Sequence, residues 1–192
     1  MNSPSEIFGL VLAGGQSSRM GYDKSLLQFY GKPQREHVFE ILAGICNNVF
    51  LSCKQDTDIP KRLNPLADRL GFESPLNGIM TAFQFKPDVA WLTVPVDMPL
   101  IDKPVLQYLV ARRAPLRTAT CFLDSDGQYP EPLVTLWEPN AYPELLTFYK
   151  AGQTSPRRFL QQSNANVISP PSPDVLVNIN SEEELKSFQK RS

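Results

Sequence analysis

Two adjacent glycines set directly after a buried strand constrain this chain more than any other feature. Ile7-Phe8-Gly9-Leu10-Val11-Leu12 is too short for an ordinary helix and rich enough in large apolar residues for a buried strand. It empties into Ala13-Gly14-Gly15-Gln16-Ser17-Ser18-Arg19-Met20-Gly21-Tyr22-Asp23-Lys24. A strand that ends this way sets a loop at the carboxyl edge of a sheet, where open α/β sheets bind ligands. Gly14 and Gly15 let the backbone approach a ligand and present successive N–H groups to an anion. Arg19 adds a fork of donors and Lys24 a compact ammonium, so the stretch reads as a phosphate-gripping loop. It is not a Walker A loop, because Asp23 precedes Lys24 and Ser18 stands where the first glycine belongs. Nor is it Gly-x-Gly-x-x-Gly, since Gly14 is followed by Gly15 and Gln16.

Downstream, strand and helix patterns alternate. Residues 25–29 read as a short extended piece and 34–44 as a helix with Val38, Phe39, Ile41 and Leu42 on one face. His37, the single histidine, lies on that helix with no second ligand near it and is given no role. Strands are expected at 49–52 and, weakly, at 62–65. Ser74-Pro75 is a helix start with a hydroxyl cap and proline at the first position, for a helix over 76–85. Residues 89–94 form the clearest buried strand, ending in Val96-Asp97-Met98-Pro99, which aims Asp97 at the same sheet edge as the glycine loop. Asp97 reads either as a site carboxylate or as a cap or turn residue, although Asp102 already supplies the cap of the next helix, 105–113. A strand at 118–123, the turn Asp124-Ser125-Asp126-Gly127 and a return over 131–137 suggest a hairpin or an antiparallel strand. Helices follow at 141–150 and after Ser155-Pro156, then strand 166–168, an extended passage 175–180, and a capped final helix over 182–190. The expected fold is a three-layer, Rossmann-like α/β domain over residues 1–192, with a mostly parallel sheet and one antiparallel strand.

Composition narrows the classes. Hydrophobic residues make up 42% and charged ones 20%, which excludes a disordered chain. A net charge of −1 supplies no global pull toward nucleic acid or an anionic membrane, so any phosphate binding must come from local cations. No apolar run reaches membrane-spanning length, and the first residues carry no basic region. Cys46, Cys53 and Cys121 are widely spaced and suit reduced thiols. The expectation is a cytoplasmic protein with neither nucleic-acid nor membrane partners.

Leu-Ala-Gly-Gly-x-Ser-x-Arg-Met-Gly-x-Asp-Lys resembles the signature loop of nucleotidyltransferases that activate small molecules. With Gly-Gly and Asp-Lys, it is most similar to the molybdenum cofactor guanylyltransferases, the molybdopterin-guanine dinucleotide biosynthesis protein A family. The resemblance covers nearly the whole chain and rests on three further places. Asp68 followed by Ser74-Pro75-Leu76-Asn77-Gly78 is similar to the family's Asp and Gly-Pro-Leu-x-Gly. Val96-Asp97-Met98-Pro99 resembles its metal-binding Asp-x-Pro. Asn178-Ile179-Asn180-Ser181-Glu182-Glu183-Glu184-Leu185 resembles its Asn-x-Asn-Thr-Pro-Glu ending. Two positions depart from the pattern: Ser74 replaces a glycine, and Leu51-Ser52-Cys53-Lys54 lacks an asparagine often found after the second strand.

The resemblance implies a Mg²⁺-dependent transfer of GMP from GTP to molybdopterin, releasing pyrophosphate. Leu12, Ala13, Gly14 and Gly15 would contact the nucleotide, and Lys24 and Arg19 its phosphates. Asp68 would help to fix the nucleoside, Asp97 would hold Mg²⁺, and Asn178 and Asn180 would line the pterin side. Asn178 and Asn180 would alternatively only turn the chain into its last helix. Arg157 and Arg158 would assist on that side or form a solvated helix face. Transient contact with cofactor-biosynthesis proteins or apo-molybdoenzymes is also implied. Competing readings are a sister enzyme (a molybdopterin cytidylyltransferase, or one activating a sugar phosphate or cobinamide phosphate) and a non-catalytic nucleotide-binding module.

Overall fold

Successive side chains of β1 (Ile7–Leu12) point to opposite faces of one sheet, and that alternation organises the molecule. Phe8, Leu10 and Leu12 pack into one apolar layer and Val11 into the other. The structure, a computed structural model, describes residues 5–13, 24–55, 57–179 and 181–189. The further strands are β2 (Asn48–Cys53), β3 (Pro65–Ala67), β4 (Ala90–Pro95), β5 (Ala119–Leu123), β6 (Pro130–Trp137) and β7 (Asn166–Ile168). They form one sheet in the order β3-β2-β1-β4-β6-β5-β7. Among the described strands β6 alone runs antiparallel, against both β4 and β5, as expected from the hairpin turn before it.

Helices cover both faces. α1 (Gln34–Ala43) and α3 (Lys103–Ala111) pack on the Val11 side, while α2 (Pro75–Phe85), α4 (Ala141–Lys150) and α5 (Pro156–Gln162) pack on the Phe8 side. α6 (Glu182–Gln189) ends the described chain. β4 lies in the middle with every residue buried, which is why its sequence is continuously apolar. Trp91 and Trp137 face each other across β4 and β6, and each indole N–H is satisfied, by Lys86 O at 3.1 Å and Thr93 Oγ1 at 3.2 Å.

Three helices start as their local sequence dictates. Ser74 Oγ accepts from Leu76 N at 3.2 Å, Asp102 Oδ1 from Val105 N at 2.9 Å, and Ser155 Oγ from Arg158 N at 3.3 Å. Each start carries a proline in its first two positions.

Elsewhere local pattern misplaces an element. Residues 25–29 are not an extended piece; a 3₁₀ turn, Lys24–Leu26, occupies their start. The third strand begins at Pro65 rather than Arg62, after a 3₁₀ turn at Lys61–Leu63. Asn64 causes the delay: it adopts a left-handed backbone (φ 45°) and its Nδ2 donates to Val49 O at 2.9 Å, so pairing starts only beyond it. Residues 175–180 are not extended at their start, because Ser172 and Pro173 initiate a 3₁₀ turn, Pro173–Leu176. His37 stacks on Tyr30 with ring centroids 4.3 Å apart. No described helix is long and apolar enough to cross a membrane.

Candidate functional site

The register of the central strands builds a shelf at one edge of the sheet. Leu12 stands level with Ser52 on β2 and with Pro95 on β4, so the segments that follow these strands open at one height. Ala13 packs against the core. Gly14, Gly15 and Arg19 lie outside the described residues, and Lys24 is described by its backbone alone, at the start of the Lys24–Leu26 turn. The chain then enters α1, where Gln34 N donates to Leu27 O at 2.8 Å.

On the β2 side of β1, Asp68 is held by its own backbone N–H, which donates to Cys53 O at 2.8 Å, and by Ser52 Oγ, which donates to its Oδ1 at 2.9 Å. Burial pushes the Asp68 carboxyl up, opposed by the Ser52 hydroxyl and the charge of Lys54. Asn77, buried on α2, ties down the loop between Asp68 and Ser74. Its Oδ1 accepts from Leu70 N at 3.1 Å, and its Nδ2 donates to Leu70 O at 2.6 Å and Phe72 O at 2.9 Å. Together these groups wall a cavity of about 560 Å³ lined by Lys54, Gln55, Asp68, Phe72, Glu73 and Asn77, among others. That volume suits a nucleoside-sized ligand.

Gly78 is required by close approach at this wall. A Cβ there would lie 2.3 Å from Ser52 Oγ and 3.1 Å from Ser52 Cβ. Gly78→Ala is expected to cost about 1–3 kcal/mol of overpacking, offset by about 1 kcal/mol of helix propensity. In a Ser52→Ala background most of the penalty should vanish, because the nearest clashing atom is gone. Urea unfolding of the two single variants and the double variant measures this coupling; strict additivity would disprove the contact.

Ser74, where the sequence pattern resembled by this chain has glycine, has a structural reason. While its Oγ caps α2, its hydroxyl donates to Thr154 O at 2.6 Å, tying the cavity wall to the start of α5.

On the β4 side stands Asp97, two residues past the end of its strand and partly buried. Its carbonyl accepts from Ile179 N at 2.8 Å, and Ile179 is buried, which brings the C-terminal segment to this point and leaves Asn178 exposed beside it. Asn180 lies outside the described residues. β4 and β6 pair antiparallel as far as Thr93 with Thr135, and beyond the paired residues the charge of Asp97 is felt at Glu131, in β6. Burial raises the Glu131 carboxyl, and the negative charges of Asp97 and Asp124 add to the rise against the pull of the Leu133 N–H and Arg157. Asp124 is also buried. Burial alone would raise its carboxyl, but the N–H groups of Gln128 and Tyr129 and the charge of Arg157 hold it below the usual range. Arg157 lies between these two carboxylates, whereas Arg158 is exposed on the helix surface.

Asp68 and Asp97, singled out in the sequence, both lie at this edge of the sheet, and the structure adds Glu131, Asp124 and Asn77, which were not singled out, to their surroundings. The signal for Asp124 was present, as the first residue of an Asp-Ser-Asp-Gly turn, where it reads as a turn residue. Glu131 carries no local signal, because only the tertiary fold brings it within reach of the charge of Asp97. Among the described residues no group of three or more His, Cys, Asp or Glu side chains is placed to hold a metal.

A family profile described as "MobA-like NTP transferase domain" matches residues 9–167. The chain is 34% identical over 186 residues to a Synechocystis protein named "Molybdenum cofactor biosynthesis bifunctional protein"; the match covers 95% of this chain and 53% of that protein, about half its length. It is 28% identical to a "Molybdenum cofactor guanylyltransferase" of Vibrio parahaemolyticus, covering 98% of this chain and 97% of the relative. The fold is similar to the crystal structure of "Molybdopterin-guanine dinucleotide biosynthesis protein A" from Archaeoglobus fulgidus, with a TM-score of 0.73, 20% identity, and 96% and 97% of the two chains covered.

Proposed function

The chain belongs to the family of MobA-like NTP transferase domains, and on that premise we propose that it transfers GMP from GTP to molybdopterin, releasing pyrophosphate. The observation that carries the reading is the division of the sheet edge into two halves with β1 between them. The nucleoside-sized cavity beside Asp68 lies on the β2 side, and Asp97 with its neighbouring carboxylates lies on the β4 side. Relatives that match nearly end to end and bear the guanylyltransferase name support GTP as donor.

The reaction joins two phosphate-bearing anions, so neutralising charge is the main demand on the protein. No acid–base pair is required, because the attacking phosphate is already ionised. Asp68, fixed by Ser52 and the backbone of Cys53, is assigned to hydrogen bonds with the nucleoside, and its rigid hold beside the cavity supports that role. The glycine loop, with Gly14, Gly15, Arg19 and Lys24, is assigned to the triphosphate.

Asp97 is the residue assigned to Mg²⁺, and its surroundings fit that ion. The Asp124 and Glu131 carboxylates flank one guanidinium, Arg157, and the charge of Asp97 is felt at Glu131, so this side of the edge carries net negative charge. Mg²⁺ is ordinarily held by one or two carboxylates together with substrate phosphates rather than by an all-protein cage. When bound, the ion supplies charge neutralisation and orientation of phosphate oxygens.

The deciding experiment is pyrophosphate release with Mg²⁺, one nucleoside triphosphate at a time, with and without molybdopterin. Release with GTP that depends on molybdopterin supports the reading. Preference for CTP would move the chain to the cytidylyl relatives, and no release with any triphosphate would leave a binding module. Lys24→Ala is expected to weaken GTP binding roughly ten- to a hundredfold, the worth of one charge-assisted contact, while leaving guanosine binding nearly unchanged. Equal losses for both ligands in calorimetry would take Lys24 off the phosphates.

A further inference from the structure

Building on the reading above, we propose that Arg157 binds the terminal phosphate of the acceptor, with Asp124 and Glu131 as positioning residues that hold its guanidinium at the sheet edge. The backbone of Arg157 is fixed. It lies in the first turn of α5, whose Phe159 and Leu160 are buried against the sheet, Phe159 packing on Trp137 with ring centroids 6.1 Å apart. Its Nη1 stands 3.4 Å from Asp124 Oδ2 and its Nη2 stands 3.9 Å from Glu131 Oε2. The carboxylate side chains are only 8% and 6% exposed, while the arginine side chain is 43% exposed.

Backbone N–H groups fix both carboxylates independently of the arginine. Asp124 Oδ1 accepts from Gln128 N at 3.0 Å and Tyr129 N at 3.3 Å, and Glu131 Oε1 accepts from Leu133 N at 2.8 Å. The guanidinium is therefore held by charge between two rigid anions at distances longer than a good hydrogen bond. The same chain shows what a closed structural pair looks like. Arg113 donates to both oxygens of Glu138 at 2.7 and 2.8 Å, with its side chain 11% exposed. Arg157 keeps its planar fork open toward solvent, the arrangement that grips a phosphate by paired donors.

Its position agrees with that task. Glu131, which Arg157 approaches at 3.9 Å, feels the charge of Asp97, the carboxylate assigned to the metal, so Arg157 stands on the same side of the sheet edge. The start of α5 is also tied to the nucleotide half through the Ser74 hydroxyl and Thr154 O, at 2.6 Å. A phosphomonoester dianion arriving on this side of the edge would be repelled by the carboxylates of Asp97, Asp124 and Glu131. A guanidinium anchored by two of them offsets that repulsion where the acceptor arrives, and it leaves the triphosphate to the glycine loop.

Steady-state kinetics with Arg157→Gln and Arg157→Lys tests the assignment. Arg157→Gln should raise KM for molybdopterin about tenfold or more, the cost of a lost charge-assisted contact, while KM for GTP stays near wild type. Arg157→Lys should recover part of the loss, since it keeps the charge but not the fork. An unchanged KM for molybdopterin, or an equal rise for both substrates, would overturn the proposal. A second measurement stands apart from the identity of the acceptor: titration of inorganic phosphate, followed by ³¹P NMR, with Mg²⁺ and GDP present. The wild-type protein should bind phosphate about tenfold or more tightly than Arg157→Gln, and equal binding would sink the assignment. If the wild-type protein fails to join GMP to molybdopterin, the functional reading fails, while the phosphate titration still decides the role of Arg157.

Discussion

Asp97→Asn is expected to lower turnover about a hundred- to a thousandfold, the worth of several kcal/mol of transition-state charge stabilisation. Thermal stability should stay near wild type. Asparagine has the shape of aspartate, and the local tie from Ile179 N goes to the Asp97 carbonyl, which the substitution leaves alone. GTP binding without metal should survive as well, because the nucleoside cavity lies on the other side of β1. Turnover across a Mg²⁺ titration is the measurement. A variant that reaches the wild-type rate at ordinary Mg²⁺ concentration would remove Asp97 from the metal.

Arg113→Ala should do the reverse, with a large loss of stability and little change in rate per folded molecule. Arg113 closes α3 against the end of β6 and the start of the described chain, at the sheet edge opposite the site. Besides its two bonds to Glu138, it donates to Ser5 O at 2.7 Å. The Glu138 side chain is 1% exposed, so removing its partner strands a buried carboxylate. Such losses cost about 3–5 kcal/mol, which in a chain of this length lowers Tm by roughly 6–20 °C. Combining Arg113→Met with Glu138→Leu should cost less than Arg113→Met alone, because no buried charge is left behind. A loss below about 1 kcal/mol for Arg113→Ala, typical of exposed pairs, would show that the bridge behaves as a surface contact.

These two residues differ in how far they can be read without the fold. The place of Asp97 at a strand end is legible because a continuous apolar run must be a covered strand, while its assignment to a metal comes from the resemblance. Ser74-Pro75 is legible because capping is local chemistry. Arg113 carries no such mark: an arginine at the end of a helix reads as a surface charge until β6 delivers Glu138 beneath it. Asn64 shows the limit from another side, since its left-handed backbone and its bond to Val49 O shift a strand that propensity placed three residues early.

By itself, then, the sequence determined most of the order of strands and helices, the capped starts of three helices, the edge of the sheet at which its central strands end and, through the resemblance of its motifs, the family. The order, the caps and the strand ends follow from periodicity and from groups within a few residues of one another. Only the tertiary structure decided which distant side chains meet at that edge. Glu131 comes within reach of the charge of Asp97, the Ser74 hydroxyl reaches Thr154, and Arg157 rather than Arg158 pairs with the carboxylates of Asp124 and Glu131. Arg157 and Arg158 are alike in type and adjacent in sequence. Because adjacent residues leave a helix about 100° apart, burial of Phe159 and Leu160 against the sheet turns one arginine inward and the other to solvent.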